Sequence, residues 1–433
     1  MNRLTTTRSA WFALACGLGL IGCGDSNAGH QADAGIVIDA APQVDAASDT
    51  NTCSSNDAGV CCSSTDCSGA TPTCDTTTHA CRACTGDGDC ASTVCDLETG
   101  ACLAADNVVY AAPAGSETAA CTQQAPCTIA RAFEIAATPR DTIKLEPGAY
   151  TSSIVVTTPK LTIHGFGATW TAPAGGRSLK LDNRQGAPEH HLRIEGVSFV
   201  EQTSGAPISC TSFPAVPATL ELDRVSIDVP DAALDLLGCT GSITRSAIRD
   251  RGTDTTMSHA VIFTAAPLTI DRTRIEGSYG ITAYAPGVVI TNSVIAASGT
   301  ALLASTLGES GAGTFQVSFS TILTSHLACS RLQLDNSIVV NPRSDAPADT
   351  IDGAACTVKY TTVFPQTAAV PGDNNKVGVD PMLKDPAAGD YHLKTGSPAI
   401  DAADPAATLA IDFEGTSRPQ GAHSDMGAFE RAP

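Results

Sequence analysis

Aromatic residues are scarce. Phe, Tyr and Trp make up 4% of the 433 residues, and only 4 Met are present. The core must be filled by Ile, Val, Leu and Ala, and few rings remain for stacking sugars or bases. Basic residues are also few, with 25 Lys and Arg against 45 Asp and Glu and a formal net charge of −20. That balance argues against a nucleic-acid binder, which needs a basic face to neutralise phosphates. The apolar run Ala10 to Gly22 is shorter than the roughly 20 residues a membrane-spanning helix takes. No HExxH is present, and no Lys follows a Gly, which removes the zincin and P-loop signatures. Gly308-Glu-Ser-Gly-Ala312 just misses GxSxG. By contrast there are 38 Gly, 25 Pro and 18 Cys. Frequent turns favour short strands over a helical bundle. So many cysteines point to an oxidising compartment.

The N-terminus reads as an export signal, residues 1–22. Arg3 and Arg8 precede the apolar run, which ends Leu20-Ile21-Gly22-Cys23. This resembles the lipobox of bacterial lipoproteins. The resemblance implies cleavage before Cys23, acylation of Cys23 and a membrane partner through the lipid. Gly24 rather than Asp after the cysteine implies the outer membrane, facing the cell surface or the periplasm. The GxGxxG at Gly17–Gly22 lies inside the signal, with no strand before it or helix after it, and is discounted. Residues 23–52 carry Asp25, Asp33, Asp39, Asp45 and Asp49 without Lys or Arg. They are expected to form a disordered tether.

Ten cysteines fall in residues 53–104. Cys62, Cys67, Cys74 and Cys81 align with Cys84, Cys90, Cys95 and Cys102. Cys53 and Cys61 form an extra pair in that alignment. The residues between are Ser, Thr, Asp and Gly, so disulfides must supply the stability. Each unit allows three pairings, and the spacing does not choose among them. Zinc at Cys81-x-x-Cys84 and calcium at Asp87-Gly88-Asp89 are weaker readings than disulfides and a solvated turn. The units resemble small Cys-rich repeats of bacterial surface lipoproteins.

Residues 105–365 repeat one pattern: apolar, any, apolar, polar, turn, small, any, apolar. Leu192 to Phe199, Leu220 to Ile227, Leu268 to Ile275 and Val288 to Ile295 are clear copies. The third residues are Ile163, Ile194, Leu222, Ile243, Ile270, Ile290, Val317, Leu334 and Val358, about 24 residues apart, as in solenoids. Stacked in register they form one apolar ladder. A β-sandwich is the runner-up. The pattern resembles the right-handed parallel β-helix of pectin-lyase-like proteins, an all-β fold. Ile129 to Ala137 has helical spacing and is expected to cap the N-terminal end. Residues 366–433 contain Val379-Asp-Pro-Met-Leu383, Gly396-Ser-Pro-Ala-Ile-Asp401 and Asp425-Met-Gly-Ala-Phe-Glu430. They resemble the choice-of-anchor Q type of C-terminal region, which implies a cap.

Chemistry is harder to find. The polygalacturonase motifs are missing. The fourth position of the repeat holds Glu195, Asp223 and Asp271, and the fifth holds Arg224, Arg245 and Arg272. Carboxylates one coil apart suit calcium or acid–base work on a glycoside, and an arginine suits a lyase base. The plainer reading is a solvated ladder of cross-coil ion pairs. His190-His191 is expected as a loop pair. The expected function is a surface protein binding glycans or cell-surface partners. The alternative is a calcium-assisted polysaccharide lyase or glycoside hydrolase using Glu195, Asp223, Arg224, Arg245 and Asp271. Six cysteines remain in the body. Cys121 and Cys127 close a short loop. Cys210 and Cys239, and Cys329 and Cys356, stand about one coil apart, close enough for disulfides.

Overall fold

A computed structural model describes residues 60–174, 176–181, 189–201, 205–210, 218–252, 260–306, 313–343 and 349–432. Cys23, the tether and Cys53 lie outside the described residues. The body is a right-handed parallel β-helix. Sheet 1 has eleven parallel strands, running from Val108–Ser116 to Ile351–Lys359. Sheet 2 also has eleven, from Gly148–Thr151 to Lys376–Val377, and sheet 3 has seven, from Ile154–Val156 to Leu302–Ala304. Among the described residues seven coils, between Thr142 and Ala304, visit the three sheets in turn, and the later coils lack a sheet 3 strand.

The repeat pattern explains the register. First and third positions point inward, as alternation along a strand requires. Ile163, Ile194, Leu222, Ile243, Ile270, Ile290, Val317, Leu334 and Val358 are consecutive partners across sheet 1. Ile143 and Val109 extend the column at its start. All eleven are buried in one continuous core.

The turn between sheets 1 and 2 is made the same way in the coils from Ile194 to Val358. Its residue has positive φ: Gly196 at 69°, then Arg224, Arg245, Arg272, Asn292, Phe319, Asn336 and Tyr360 at 45–52°. Only glycine adopts that region without cost. A compensation follows directly after it. Ser246, Thr273, Ser293, Ser320, Ser337 and Thr361 form a buried hydroxyl column. Each hydroxyl donates to the carbonyl two residues earlier, as Ser293 does to Thr291 at 2.6 Å. Each also accepts the backbone N–H of the preceding coil, as Ser293 does from Thr273 at 3.2 Å. Each buried hydroxyl thereby satisfies one backbone carbonyl and one backbone amide at the turn.

The helix Ile129–Ile135 closes the first coil. Thr128 caps it, accepting from the Arg131 amide at 3.3 Å, and Ile129 and Ala132 are buried. Phe133 lies 6.0 Å from the fully buried Trp170, which stacks on Phe199 at 5.6 Å. Cys121 and Cys127 are joined ahead of this helix, with a Cα separation of 4.7 Å. Cys210–Cys239 and Cys329–Cys356 bridge neighbouring coils at 5.8 and 4.8 Å.

The cysteine module is two copies of one unit, but the copies align differently from the sequence reading. Cys61 pairs with Cys74 and Cys67 with Cys81; Cys84 pairs with Cys95 and Cys90 with Cys102. Cys61, not Cys62, is therefore the counterpart of Cys84, and it is not the partner of Cys53. The backbone agrees: the Cys61 amide bonds to the His79 carbonyl and the Cys84 amide to the Gly100 carbonyl, both at 2.9 Å. Cys81 and Cys84 belong to different units and are both in disulfides, so they form no zinc pair.

The C-terminal region divides in two. Residues up to Lys376–Val377 add a last strand to sheet 2. Beyond it, Leu383, Tyr391, Leu393, Ala399, Met426, Ala428 and Phe429 pack along the outer face of sheet 2. They form a lateral strap. Outward positions of sheet 2 change accordingly, from Ser198, Ser226 and Ala247 in early coils to Val294, Leu323, Ile338 and Val340 in late ones. Arg418 ties the strap internally. It is buried, bonds Glu430 at 2.9 Å, and lies 4.7 Å above the Phe319 ring.

Candidate functional site

The fourth positions of sheet 1 form an outward column that starts earlier than the candidate residues. Lys144, His164, Glu195, Asp223, Thr244 and Asp271 are successive register partners. The structure thus brings Glu195 beside Asp223, and separates Asp223 from Asp271 by the Thr244 rung.

Each carboxylate is occupied by an internal partner. Asp223 is buried. It takes Arg245 in a bidentate pair at 2.7 and 2.6 Å, Arg224 at 2.6 Å, and the Thr244 hydroxyl at 2.9 Å. Two of the three candidate arginines therefore neutralise one acid. Asp271 takes Arg272 Nε at 2.9 Å and the Thr291 hydroxyl at 2.8 Å. Burial lowers the Arg224 pKa, with Asp223 opposing the shift and Arg245 adding to it.

Glu195 lies in a second network, one that sequence reasoning missed. The second cysteine unit sits on the first rungs of the column. Asp87 Oδ1 meets His164 Nε2 at 2.7 Å, and its other oxygen meets buried Lys144. His164 Nδ1 reaches Glu195 Oε2 at 3.0 Å, and Glu195 Oε1 takes Arg193 Nε at 2.6 Å. Arg193 then returns to the module through Glu98 at 2.7 Å. Burial alone would lower the His164 pKa. The hydrogen bonds with Asp87 and Glu195 outweigh it, and the net shift is upward. Burial opposes ionisation of Asp87 as well, yet His164 and Lys144 bring its pKa down to about 2. Glu195 moves downward too, as His164 and Arg193 outweigh its burial. The set is a charge-alternating clamp whose carboxylates stay ionised, where a glycosidase acid needs a raised pKa.

The Asp87-Gly88-Asp89 turn is half-buried at both aspartates, and both of its carboxylates are taken by internal partners. Asp87 is in the clamp, and Asp89 is held by Arg82 through two bonds of 2.9 Å. The histidine pair lies in the strand His190–Glu195, not in a loop. His190 Nδ1 faces the Thr158 carbonyl at 3.1 Å, and His191 faces Glu221 at 3.3 Å. Among the described residues the only cysteine, histidine and carboxylate groups close enough to share an ion are disulfide cysteines. The one signal for the clamp was His164, at the fourth position of the first copy of the repeat.

No protein-family model matches the chain. No curated protein matches it either. Similar solved structures include a pectate lyase, 14% identical over 75% of this chain and 96% of that one, with a TM-score of 0.44. A rhamnogalacturonan lyase is 11% identical, covering 64% and 90%, with a TM-score of 0.40. XylC in complex with xylose is 8% identical, covering 74% and 98%, with a TM-score of 0.40. At these values the likeness is one of coiled architecture and assigns no residue a role.

Proposed function

We propose that this chain is a lipid-anchored surface protein whose β-helix is a rigid, non-catalytic binding body for glycans or cell-surface partners. The observation that carries this reading is the saturation of the acidic column. Glu195, Asp223 and Asp271 each spend their oxygens on internal cations and hydroxyls. A calcium ion or a substrate would first have to displace arginines, at a cost typical of breaking buried pairs. Acylated Cys23 would hold the molecule at the outer membrane, and the acidic tether would give it reach.

Two measurements test this. Mass spectrometry of the membrane fraction is expected to find Cys23 as the acylated N-terminus; soluble protein starting elsewhere removes the anchor. Incubation of the full chain with a polysaccharide panel, with and without calcium, is expected to release no unsaturated or reducing ends. One feature favours a second reading, a lyase: the lowered basicity of Arg224 is the direction a proton-abstracting guanidine needs. If unsaturated ends do form, and Arg224→Ala abolishes them while Arg245 still pairs Asp223 and the fold is kept, the lyase reading replaces the first.

A further inference from the structure

The strap carries two neighbouring cavities that the acidic column does not touch. One is about 600 Å³ and is lined by Lys384, His392, Lys394 and Arg431 among others. The other is about 690 Å³ and is lined by Arg343, Met382 and, again, Lys394. Both are in the size range of small-molecule and sugar sites. Lys394 belongs to both walls, so the two form one bipartite groove.

The charge of this groove runs against that of the chain. The protein carries −20, yet Lys384, Lys394, Arg431 and Arg343 converge here. The acids nearby are mostly spent. Glu430 is buried against Arg418 at 2.9 Å, Glu414 faces His392 Nε2 at 3.2 Å, and Asp380 accepts the Met382 amide at 2.8 Å. Lys384 and Lys394 are exposed, and among the described residues neither makes an ion pair. Lys384 acts on Asp390 through space but beyond ion-pair distance, so both amines stay available to an outside anion. The groove also has apolar surface: Met382 is 37% exposed, and the half-buried His392 ring is backed by buried Phe429 at 4.3 Å.

We propose that this groove binds an acidic polysaccharide, with Lys384 and Lys394 pairing its carboxylates or sulfates. The site is on the strap against sheet 2, whereas the acidic column is on sheet 1, so the proposal stands apart from any role of that column. The test is affinity electrophoresis and titration calorimetry of the full chain at low salt. The probes are hyaluronan, alginate and heparin, with neutral dextran and polyglutamate as controls. One or more of the acidic glycans should bind, and added salt should weaken binding as the charges are screened. K384E/K394E should bind at least about tenfold more weakly with an unchanged melting temperature, since neither amine supports the fold. Hyaluronan or alginate binding alone would identify carboxylates as the recognised group, and heparin binding alone would identify sulfates; either supports the groove. The proposal is overturned if no acidic glycan binds, if the double variant binds as well as the parent, or if polyglutamate or dextran binds equally.

Discussion

Asp87→Asn should release the cysteine module from the β-helix without unfolding either. Asn keeps the shape of the side chain but removes the charge facing His164 and Lys144. Lys144 is 3% exposed, so its ammonium would be left buried beside the His164 imidazolium without a counter-ion. Breaking one side of a buried pair costs about 3–5 kcal/mol. The other links are weaker: Tyr110 to the Ser92 carbonyl at 2.7 Å, Gln123 to Ala91 at 3.0 Å, and the more exposed Arg193–Glu98 pair. Neutral bonds of this kind contribute about 0.5–1.5 kcal/mol each. The clamp is therefore the largest polar contribution to docking, beside the apolar packing of Val94 on Val108 and Tyr110. Each unit of the module should stay folded on its own two disulfides. Two assays read the release. Proteolysis should begin in the exposed link Ala104–Asn107. Amide exchange should speed up in Thr142–Leu145 and Lys160–His164 while late coils are unaffected. Unchanged protection in both assays would refute the view that charge, and not surface fit, seats the module.

The same clamp sets a pH window. The raised His164 pKa contributes stability that is complete below the ordinary value of 6.5 and is lost as pH rises through the folded value. The lowered Asp87 and Glu195 pKa values contribute stability that is complete above about pH 4.5 and is lost as pH falls, for Asp87 down to about 2. Asp87, Glu195 and Lys144 are the ionisable groups that act directly on His164. Docking should thus be tightest between about pH 4.5 and 6.5, read by exchange at His164. A monotonic rise in protection up to pH 9 would contradict the assigned charges.

Asp223→Asn should destabilise the central coils by about 1.5–3 kcal/mol, because the half-exposed Arg224 and Arg245 would lose their shared carboxylate; urea melts measure it. Ser293→Ala removes a donor to Thr291 and leaves the buried Thr273 amide unmatched, a loss of about 1–3 kcal/mol, while Thr300→Ala outside the column should be nearly neutral. Asp425 in the strap has the opposite pH signature to Asp87. Burial raises its pKa to about 6, so the stability it contributes falls as pH rises from about 4 to 6. Asp425→Asn should flatten that limb of a stability–pH curve, unless loss of its bonds to the Asp401 and Arg431 amides unfolds the strap first, which near-ultraviolet dichroism would show.

The register of the β-helix was legible because it depends on inward positions, and burial forces those to be apolar whatever else the coil does. Ile194, Leu222 and Ile243 had no alternative face. The inter-coil cysteines were legible for the same reason, since a separation near one coil stacks them. What lay outside reach shared a different property: its meaning depended on a partner far along the chain. Ile338 and Val340 break the alternation of their strand, yet nothing local says that Leu393 and Phe429 cover them. The small sixth position was visible as a pattern, but the cross-coil bonding of Ser293 or Thr273 needed the register first. Glu195 and Asp223 were placed correctly side by side, and the arginines that neutralise Asp223 were named with them. The plainer of the two readings, cross-coil ion pairing, is the one the geometry shows, because proximity of opposite charges in a half-buried column favours pairing over reactivity.

The clamp shows how a small sequence difference changes what a repeat does. In the first cysteine unit Ser64 stands where the second has Asp87. Ser64 Oγ accepts the Cys74 amide at 3.2 Å, and Asp87 Oδ1 accepts the equivalent Cys95 amide at the same distance. The local job of closing the loop is identical, and a hydroxyl suffices for it. A carboxylate does the same and has lone pairs left over, which reach Lys144 and His164. The surplus acceptor capacity of Asp over Ser is thus what fixes the second unit to the body. A swap isolates the point. Asp87→Ser should preserve the unit's own disulfides and loop while undocking it, as Asp87→Asn does. Adding Lys144→Met and His164→Phe should restore docking in part, because the buried charges are then gone as well. If the triple variant is no better docked than Asp87→Ser alone, charge burial is not what opposes seating.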